Sequence, residues 1–520
     1  MTSRYAAALA SAARRQPSRP ALWHAGSLWT FAQLQARVEE LARWLGSLDL
    51  PDGARVADLH PNGVETVISD FACSAAGVVR VALNDRYTTP ELRGIIEHVG
   101  AAVLLTTPAL YQIVGEDWLS ARGTYVLDTS RWLAGNPYQP GCEAACTEPT
   151  RADRGSPLSI GVPVLALRLT GGTTGRPRAI VRTEAQQLAV AENIRTVLCP
   201  LRESDVLIHT QPMSHGTHAF ILPAVQSGCL QVVADSTRPG QVADQMQALG
   251  VTVLKCVPTL LSRLVSELAT HPRSFPALRQ IVCGASPLDA PLIQASIEQF
   301  GPILSQTYGQ TEVPVTIAYT SPDDYKDAAR GEGAAGIATA GRPYPGVEIA
   351  ILDSRGGDVT ARGEVGEVGV KSSITAEWEW DGHQAVALRR RSGGYHLTGD
   401  LGAFDAAGRL HLMGRKDGVI ISGGYNVYPG EVREALLRLP GITGAEVFAV
   451  PHADWGQQVT AAVVAASGVE GASVITALRD FLTAYKIPKE ILVLPSIPVT
   501  VNGKPNIREL ARLVASRHSG

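Results

Sequence analysis

Short apolar runs alternate with stretches of helical period along most of the chain. Residues 103–105, 206–208, 232–234, 253–256 and 280–283 are brief, largely apolar runs. Their length and composition predict short buried strands. Between them, 241–248 and 258–268 carry the period of helices. Strand and helix in alternation argue for a parallel sheet with helical cover. From about residue 345 the texture changes. Residues 346–352 and 363–370 alternate, with Gly at the turns, and read as a small antiparallel barrel. Beyond residue 417 comes a compact α+β tail, with a helix over 429–438, two strands and a last helix over 507–514. The first twenty residues, rich in Ala and Arg, read as an amphipathic helix with a basic face. The Gly- and Pro-rich stretch 134–155 reads as a surface loop.

Length makes this more than one ordinary core, because 520 residues exceed what a single hydrophobic interior supports. Apolar content of 45% and charge of 18% describe an ordinary globular chain. A net charge of −3 gives no case for nucleic acid or for stable membrane association. No apolar stretch approaches the length of a membrane span, and the amino terminus lacks the apolar core of a signal peptide. Of the seven cysteines, Cys142 and Cys146 form one CxxxC, without the pairing of pairs that zinc asks for. Reduced thiols in a cytoplasmic setting are the expectation.

Candidate chemistry concentrates in Leu-Thr-Gly-Gly-Thr-Thr-Gly-Arg-Pro-Arg-Ala-Ile-Val, residues 169–181. Gly171, Gly172 and Gly175 let backbone N–H groups approach a ligand closely. Thr170, Thr173 and Thr174 add hydroxyl donors, and Arg178 adds a fixed charge. Such a loop can hold a polyphosphate. It is not a Walker A loop, since no Gly-Lys-Ser/Thr follows. Taken alone, the run is equally a flexible surface turn.

The loop resembles the phosphate-binding signature of the adenylate-forming superfamily: acyl- and aryl-CoA ligases, luciferases and peptide-synthetase adenylation domains. Arg178 stands where that signature has Lys, and Ala179 where it has Gly. Five further segments resemble the same family in the same order. They are Tyr308-Gly309-Gln310-Thr311-Glu312, Thr398-Gly399-Asp400, Gly414-Arg415-Lys416-Asp417, Ser422-Gly423-Gly424-Tyr425-Asn426 and Pro498-Val499-Thr500-Val501-Asn502-Gly503-Lys504. The resemblance implies roles. Thr311 meets the adenylate phosphate, and Glu312 helps hold Mg²⁺, a cation that wants carboxylate oxygen. Asp400 accepts the ribose hydroxyls and Arg415 reaches the ribose. Asp417 is the hinge, and Gly423 and Gly424 leave room for a thiol arm. Lys504 bridges the carboxylate and the α-phosphate. Gly284, Ala285 and Ser286, with Tyr308 and Gly309, pack against adenine and the acyl group. His215 lies either beside the acyl pocket or in a purely structural position.

The implied fold is α/β. A large N-terminal domain, residues 1–416, has parallel and mixed sheets with helices and a small β-barrel subdomain. A small α+β domain, residues 417–520, follows a hinge and carries the catalytic lysine. The implied reaction attacks the α-phosphate of ATP with a carboxylate, releases pyrophosphate and leaves an acyl adenylate. A thiol then displaces AMP. Joining two anions demands positive charge aimed at the reacting centre. The thiol is that of CoA or of a carrier protein's phosphopantetheine arm. A ligand-binding relative without turnover is the reading of another class, against which Lys504, Glu312 and Asp400 argue. Residues 213–220, Met-Ser-His-Gly-Thr-His-Ala-Phe, hold no carboxylate to pair a substrate ammonium. A buried unpaired ammonium is costly, so the expected substrate is a small carboxylic acid without an α-amino group.

Overall fold

The computed structural model describes residues 3–133, 158–170, 178–326, 338–390, 392–422, 425–452, 455–500 and 505–518. Two large sheets dominate. One has nine strands, in the order Arg342–Pro343, Ala318–Thr320, Leu304–Tyr308, Gln280–Gly284, Val253–Cys256, Val206–His209, Leu230–Val233, Pro20–His24, Ser27–Thr30. Its central strands run parallel and its edge pairs antiparallel. The other has eight, in the order Ala385–Ala387, Trp378–Trp380, Ala179–Thr183, Val164–Leu169, Val79–Ala82, Arg55–Leu59, Ala101–Thr106, Tyr125–Asp128.

Both sheets are mixed: a short hairpin edges each, Pro20–His24 with Ser27–Thr30 in the first and Trp378–Trp380 with Ala385–Ala387 in the second, whose other edge strand, Tyr125–Asp128, pairs parallel. The crossover helices show the expected stripe. In Pro258–Thr270, Leu260, Leu261, Leu264 and Leu268 are buried, and Pro258 opens the helix where its missing N–H costs nothing. The first helix, Arg4–Arg15, buries Tyr5, Leu9 and Ala12; Arg14 and Arg15 fill its last turn, favourable at that end of the dipole.

A four-stranded antiparallel sheet, Val347–Leu352, Gly366–Ser372, His396–Phe404 and Leu410–Arg415, occupies the stretch whose alternation reads as a small barrel. The tail from residue 420 has its own five-stranded sheet and its own apolar clusters, built on Ile420, Val432, Leu436, Val459, Leu478, Leu492 and Leu510. Helix Pro429–Leu437 packs within it, and helix Ile507–His518 closes it. The described cysteines, Cys73, Cys199, Cys229, Cys256 and Cys283, are buried free thiols. Among the described residues no helix is long and apolar enough to cross a membrane.

Candidate functional site

Four of the sequence segments meet at one place. Strands Val164–Leu169 and Ala179–Thr183 pair antiparallel with Leu169 opposite Ala179, and the Thr170 N–H donates to the Arg178 carbonyl at 2.9 Å. Gly171, Gly172, Thr173, Thr174 and Gly175 lie outside the described residues. Arg178 is described, and its guanidinium spans two carboxylates. Nη1 meets Glu312 at 2.8 Å, while Nε and Nη2 meet Glu379 at 3.0 and 2.7 Å. Its hydrogen bond to Glu379, then the charges of Glu379 and Glu312, hold the guanidinium pKa above its ordinary value despite partial burial. A lysine ammonium offers no such planar fork.

Glu312 is held from behind by its own backbone. Its carbonyl accepts from the Ala376 N–H at 2.7 Å. The adjacent Thr311 carbonyl accepts from Arg182, a guanidinium only 1% exposed, whose other arm reaches the Ile374 carbonyl at 3.1 Å. Burial pushes the Arg182 pKa down to about 9. His396, also buried, is pushed down by desolvation and supported by the charge of Glu312. The Glu312 side chain is largely shielded, with Glu379 across Arg178 and His396 nearby, and the described residues contain no cluster of three or more His, Cys, Asp or Glu able to hold a metal by themselves. This donor chemistry fits Mg²⁺, which takes one or two carboxylates and completes its shell with phosphate oxygen and water.

Asp400 sits in a ring of donors. The Tyr308 hydroxyl and Gln310 Nε2 (2.7 Å) both donate to Oδ2, and Arg415 Nη1 approaches Oδ1 at 3.3 Å. Burial and the charge of Asp400 hold the Tyr308 phenol well above its ordinary pKa, so it stays a donor. Gly399 has φ 71°, and a Cβ there would lie 2.9 Å from the Arg415 guanidinium, so this turn wants glycine. Arg415 also donates from Nε to Asp417 at 3.2 Å. Asp417 lies in the short turn Lys416–Gly418 and is exposed.

Backbone strain marks the same neighbourhood. Ala285, at the end of strand Gln280–Gly284, has φ 76°, and Val315 has φ 59°. A β-branched residue there is an outlier that surrounding contacts must enforce. Thr307 Oγ1 donates to the Val315 carbonyl, and Val315 packs against Gly309 so closely that a Cβ on Gly309 would stand 2.2 Å from its nitrogen. Ser286 is half-buried beside Ala285.

His215 is half-buried at the start of the turn Gly216–Phe220, with Nδ1 2.9 Å from the Ser214 hydroxyl. A second histidine in the same stretch, His218, belongs to a buried charge network. Its Nε2 lies 2.7 Å from Asp70, and Arg168 approaches Nδ1 at 2.6 Å. Arg80 reaches Asp70 at 3.1 Å and Asp58 at 2.6 Å, and Tyr5 and His60 complete the set. Burial, then the Arg168 charge, pushes the His218 pKa to about 4, so the ring is neutral, accepts from Arg168 and donates to Asp70. Burial alone would raise the Asp70 pKa; His218 and Arg80 outweigh it and hold the carboxyl well below the usual range.

Lys504, Gly423 and Gly424 lie outside the described residues, as do Cys142 and Cys146. Sequence reading did not find Glu379, Arg182, His218 or Lys255. Lys255 carried a signal: a lysine inside the apolar run 253–256. The others acquire their partners only through the tertiary fold.

The AMP-binding enzyme family model matches residues 9–377, and the AMP-binding enzyme C-terminal domain model matches 431–504. A feruloyl-CoA synthase of an Amycolatopsis species is 31% identical over 501 residues, 95% of each chain. A fatty acid–[acyl-carrier-protein] ligase of Streptomyces coeruleorubidus is 28% identical over 507 residues, 96% of this chain and 94% of its own. The solved structure of an amide bond synthetase from Marinactinospora thermotolerans superposes with a TM-score of 0.82 at 28% identity, covering 98% of this chain and 99% of its own. The chain belongs to the AMP-binding enzyme family, as an AMP-forming acid–thiol ligase carrying that family's C-terminal domain.

Proposed function

We propose that this ligase activates a carboxylic acid lacking an α-amino group and passes the acyl group to the thiol of CoA. The observation that carries the residue assignment is the ring of Tyr308, Gln310 and Arg415 around Asp400, next to the Arg178–Glu312 pair. Asp400 accepts the ribose hydroxyls, exchanging its internal donors for those of the nucleotide. Arg178, tethered by Glu379, turns its Nη1 from Glu312 to a phosphate oxygen. Glu312, with Thr311, then faces the same phosphates. Glu312 would hold Mg²⁺, which would supply charge neutralisation at the phosphates. Lys504 adds the ammonium that draws the two anions together, and AMP leaves when the thiolate attacks the acyl carbon.

Residues 1–416 bind ATP and acid. Residues 417–520 swing about Asp417 between the two half-reactions and bring Lys504 to the first and the Gly423–Gly424 passage to the second. The free buried thiols support a reducing, cytoplasmic setting. The similarity to a carrier-protein ligase supports a second acceptor, the phosphopantetheine arm of an acyl carrier protein. The similarity to an amide bond synthetase makes an amine the third acceptor to assay. ATP–pyrophosphate exchange across aliphatic, aromatic and amino acids tests the first step. Single-turnover transfer from the preformed adenylate to CoA, holo-carrier or amine tests the second. Fastest transfer to CoA is the expected result; exchange favouring α-amino acids over their deaminated analogues contradicts the assignment of substrate class.

A further inference from the structure

Lys255 lies in the middle of strand Val253–Cys256 and is only 4% exposed. Its ammonium has one hydrogen bond among the described residues, to the Cys256 carbonyl at 3.0 Å. No described carboxylate pairs with it. Its surroundings are the Phe220 ring, 5.6 Å from Nζ, the thiols of Cys256 and Cys283, and His209 on the neighbouring strand. On the fourth side is Gly284, where even a methyl group would sit 3.9 Å from Nζ. Phe220 ends the 213–220 stretch and Gly284 begins the Gly284–Ser286 segment, the two segments in which the family resemblance looks for the acyl pocket. The Lys255 ammonium therefore stands between the two walls expected to hold the acid. His209, paired with Lys255 across the strands, adds a buried Nδ1 that has no partner among the described residues.

An ammonium buried with two of its three donors unused is costly unless an anion reaches it. The protein supplies none among its described residues, and Gly284, in the segment that the resemblance sets against the acyl group, is its neighbour. We propose that Lys255 is a specificity-determining residue that binds a second carboxylate at the far end of the substrate, so that the enzyme prefers dicarboxylic acids to monocarboxylic acids of the same skeleton. This rests on the acid–thiol ligase reading and names its substrate class.

The test is ATP–pyrophosphate exchange with matched pairs: adipate against hexanoate, terephthalate against benzoate, 4-carboxycinnamate against cinnamate. Wild-type enzyme should favour the diacid in at least one pair by roughly 100-fold in kcat/KM, the scale of a buried charge pair. Lys255→Met should remove that preference and leave the KM for ATP unchanged. Its melting temperature should hold or rise, because an apolar side chain of similar length replaces an unpaired charge. Equal or better exchange with the monoacid of every pair in wild-type enzyme overturns the proposal while the ligase reading stands, whether or not the variant folds. A diacid preference that survives Lys255→Met also overturns it. Absence of exchange with every acid overturns the ligase reading and this inference with it.

Discussion

At the scale of the residue, the arginine fork at position 178 distinguishes this site. A planar guanidinium can bind one carboxylate through two nitrogens and still point a third at another group. Glu379 takes the first role and Glu312 the second, at 2.7–3.0 Å. Removing the fork should therefore hurt nucleotide binding more than removing its anchor. Arg178→Ala should raise the KM for ATP by roughly 10-fold or more, from one lost charge-assisted hydrogen bond of about 1.5–3 kcal/mol. Glu379→Gln should raise it only a few-fold, and isothermal titration with a non-hydrolysable ATP analogue and Mg²⁺ checks both. An unchanged affinity in Arg178→Ala would remove this side chain from the phosphate site. For Asp400→Ala, a KM increase of similar size is expected, and 2′,3′-dideoxy-ATP is the control. Wild-type enzyme should discriminate against that analogue and the variant should not.

At the scale of the element, strand ends do the positioning. Strand Leu304–Tyr308 stops where Gly309 meets the Val315 backbone, and that contact turns the chain so that Tyr308 and Gln310 both face Asp400. Gly309→Ala puts a methyl group against backbone that cannot step aside. It should cost about 1–3 kcal/mol of stability and raise the KM for ATP; thermal melting and steady-state kinetics measure the two effects. Retention of both wild-type values would show that the turn has slack. Strand 253–256 is found at its expected bounds, with Thr252 before it and the start of helix Pro258–Thr270 closing it after Val257. The strand Val164–Leu169 was not legible, because its apolar run merges into the Gly/Thr loop and reads as motif. Glu379 lies 201 positions from Arg178, and no local period links them. Arg182 carries no local signal, and only the fold reveals that one of its donors holds the Thr311 carbonyl and another the Ile374 carbonyl. The Asp400 motif was legible because Thr-Gly-Asp is local, its glycine forced by φ 71°.

At the scale of the whole molecule, buried charge ties the N-terminal helix to the segment beside the site. Tyr5, Asp70, Arg80, Asp58, His60, Arg168 and His218 form one connected network. His218 and His209 are both pushed by burial to about 4, below the ordinary 6.5. The unfolded chain then binds protons that the folded chain refuses. The stability these neutral rings contribute is whole above pH 6.5 and drains away as pH falls toward 4. Each should cost roughly 2 kcal/mol between pH 7 and pH 5. Urea denaturation at those two pH values checks this, and His218→Gln should flatten the dependence. A wild-type midpoint that does not move would mean that these rings protonate freely.

An ion pair crosses from the tail to the body that holds the large sheets. Arg433, on helix Pro429–Leu437, meets Asp289 at 2.9 Å, and Asp289 also caps helix Ala290–Phe300. If the tail swings between half-reactions, this contact opens and re-forms once per turnover. An ion pair at a partly exposed seam is weakened by dissolved salt, whereas an apolar seam is not. This part of the fastening is therefore set by the surrounding electrolyte while the packing of Gly430 on Met413 is not, and under the proposed swing raised ionic strength should change the pace of the cycle.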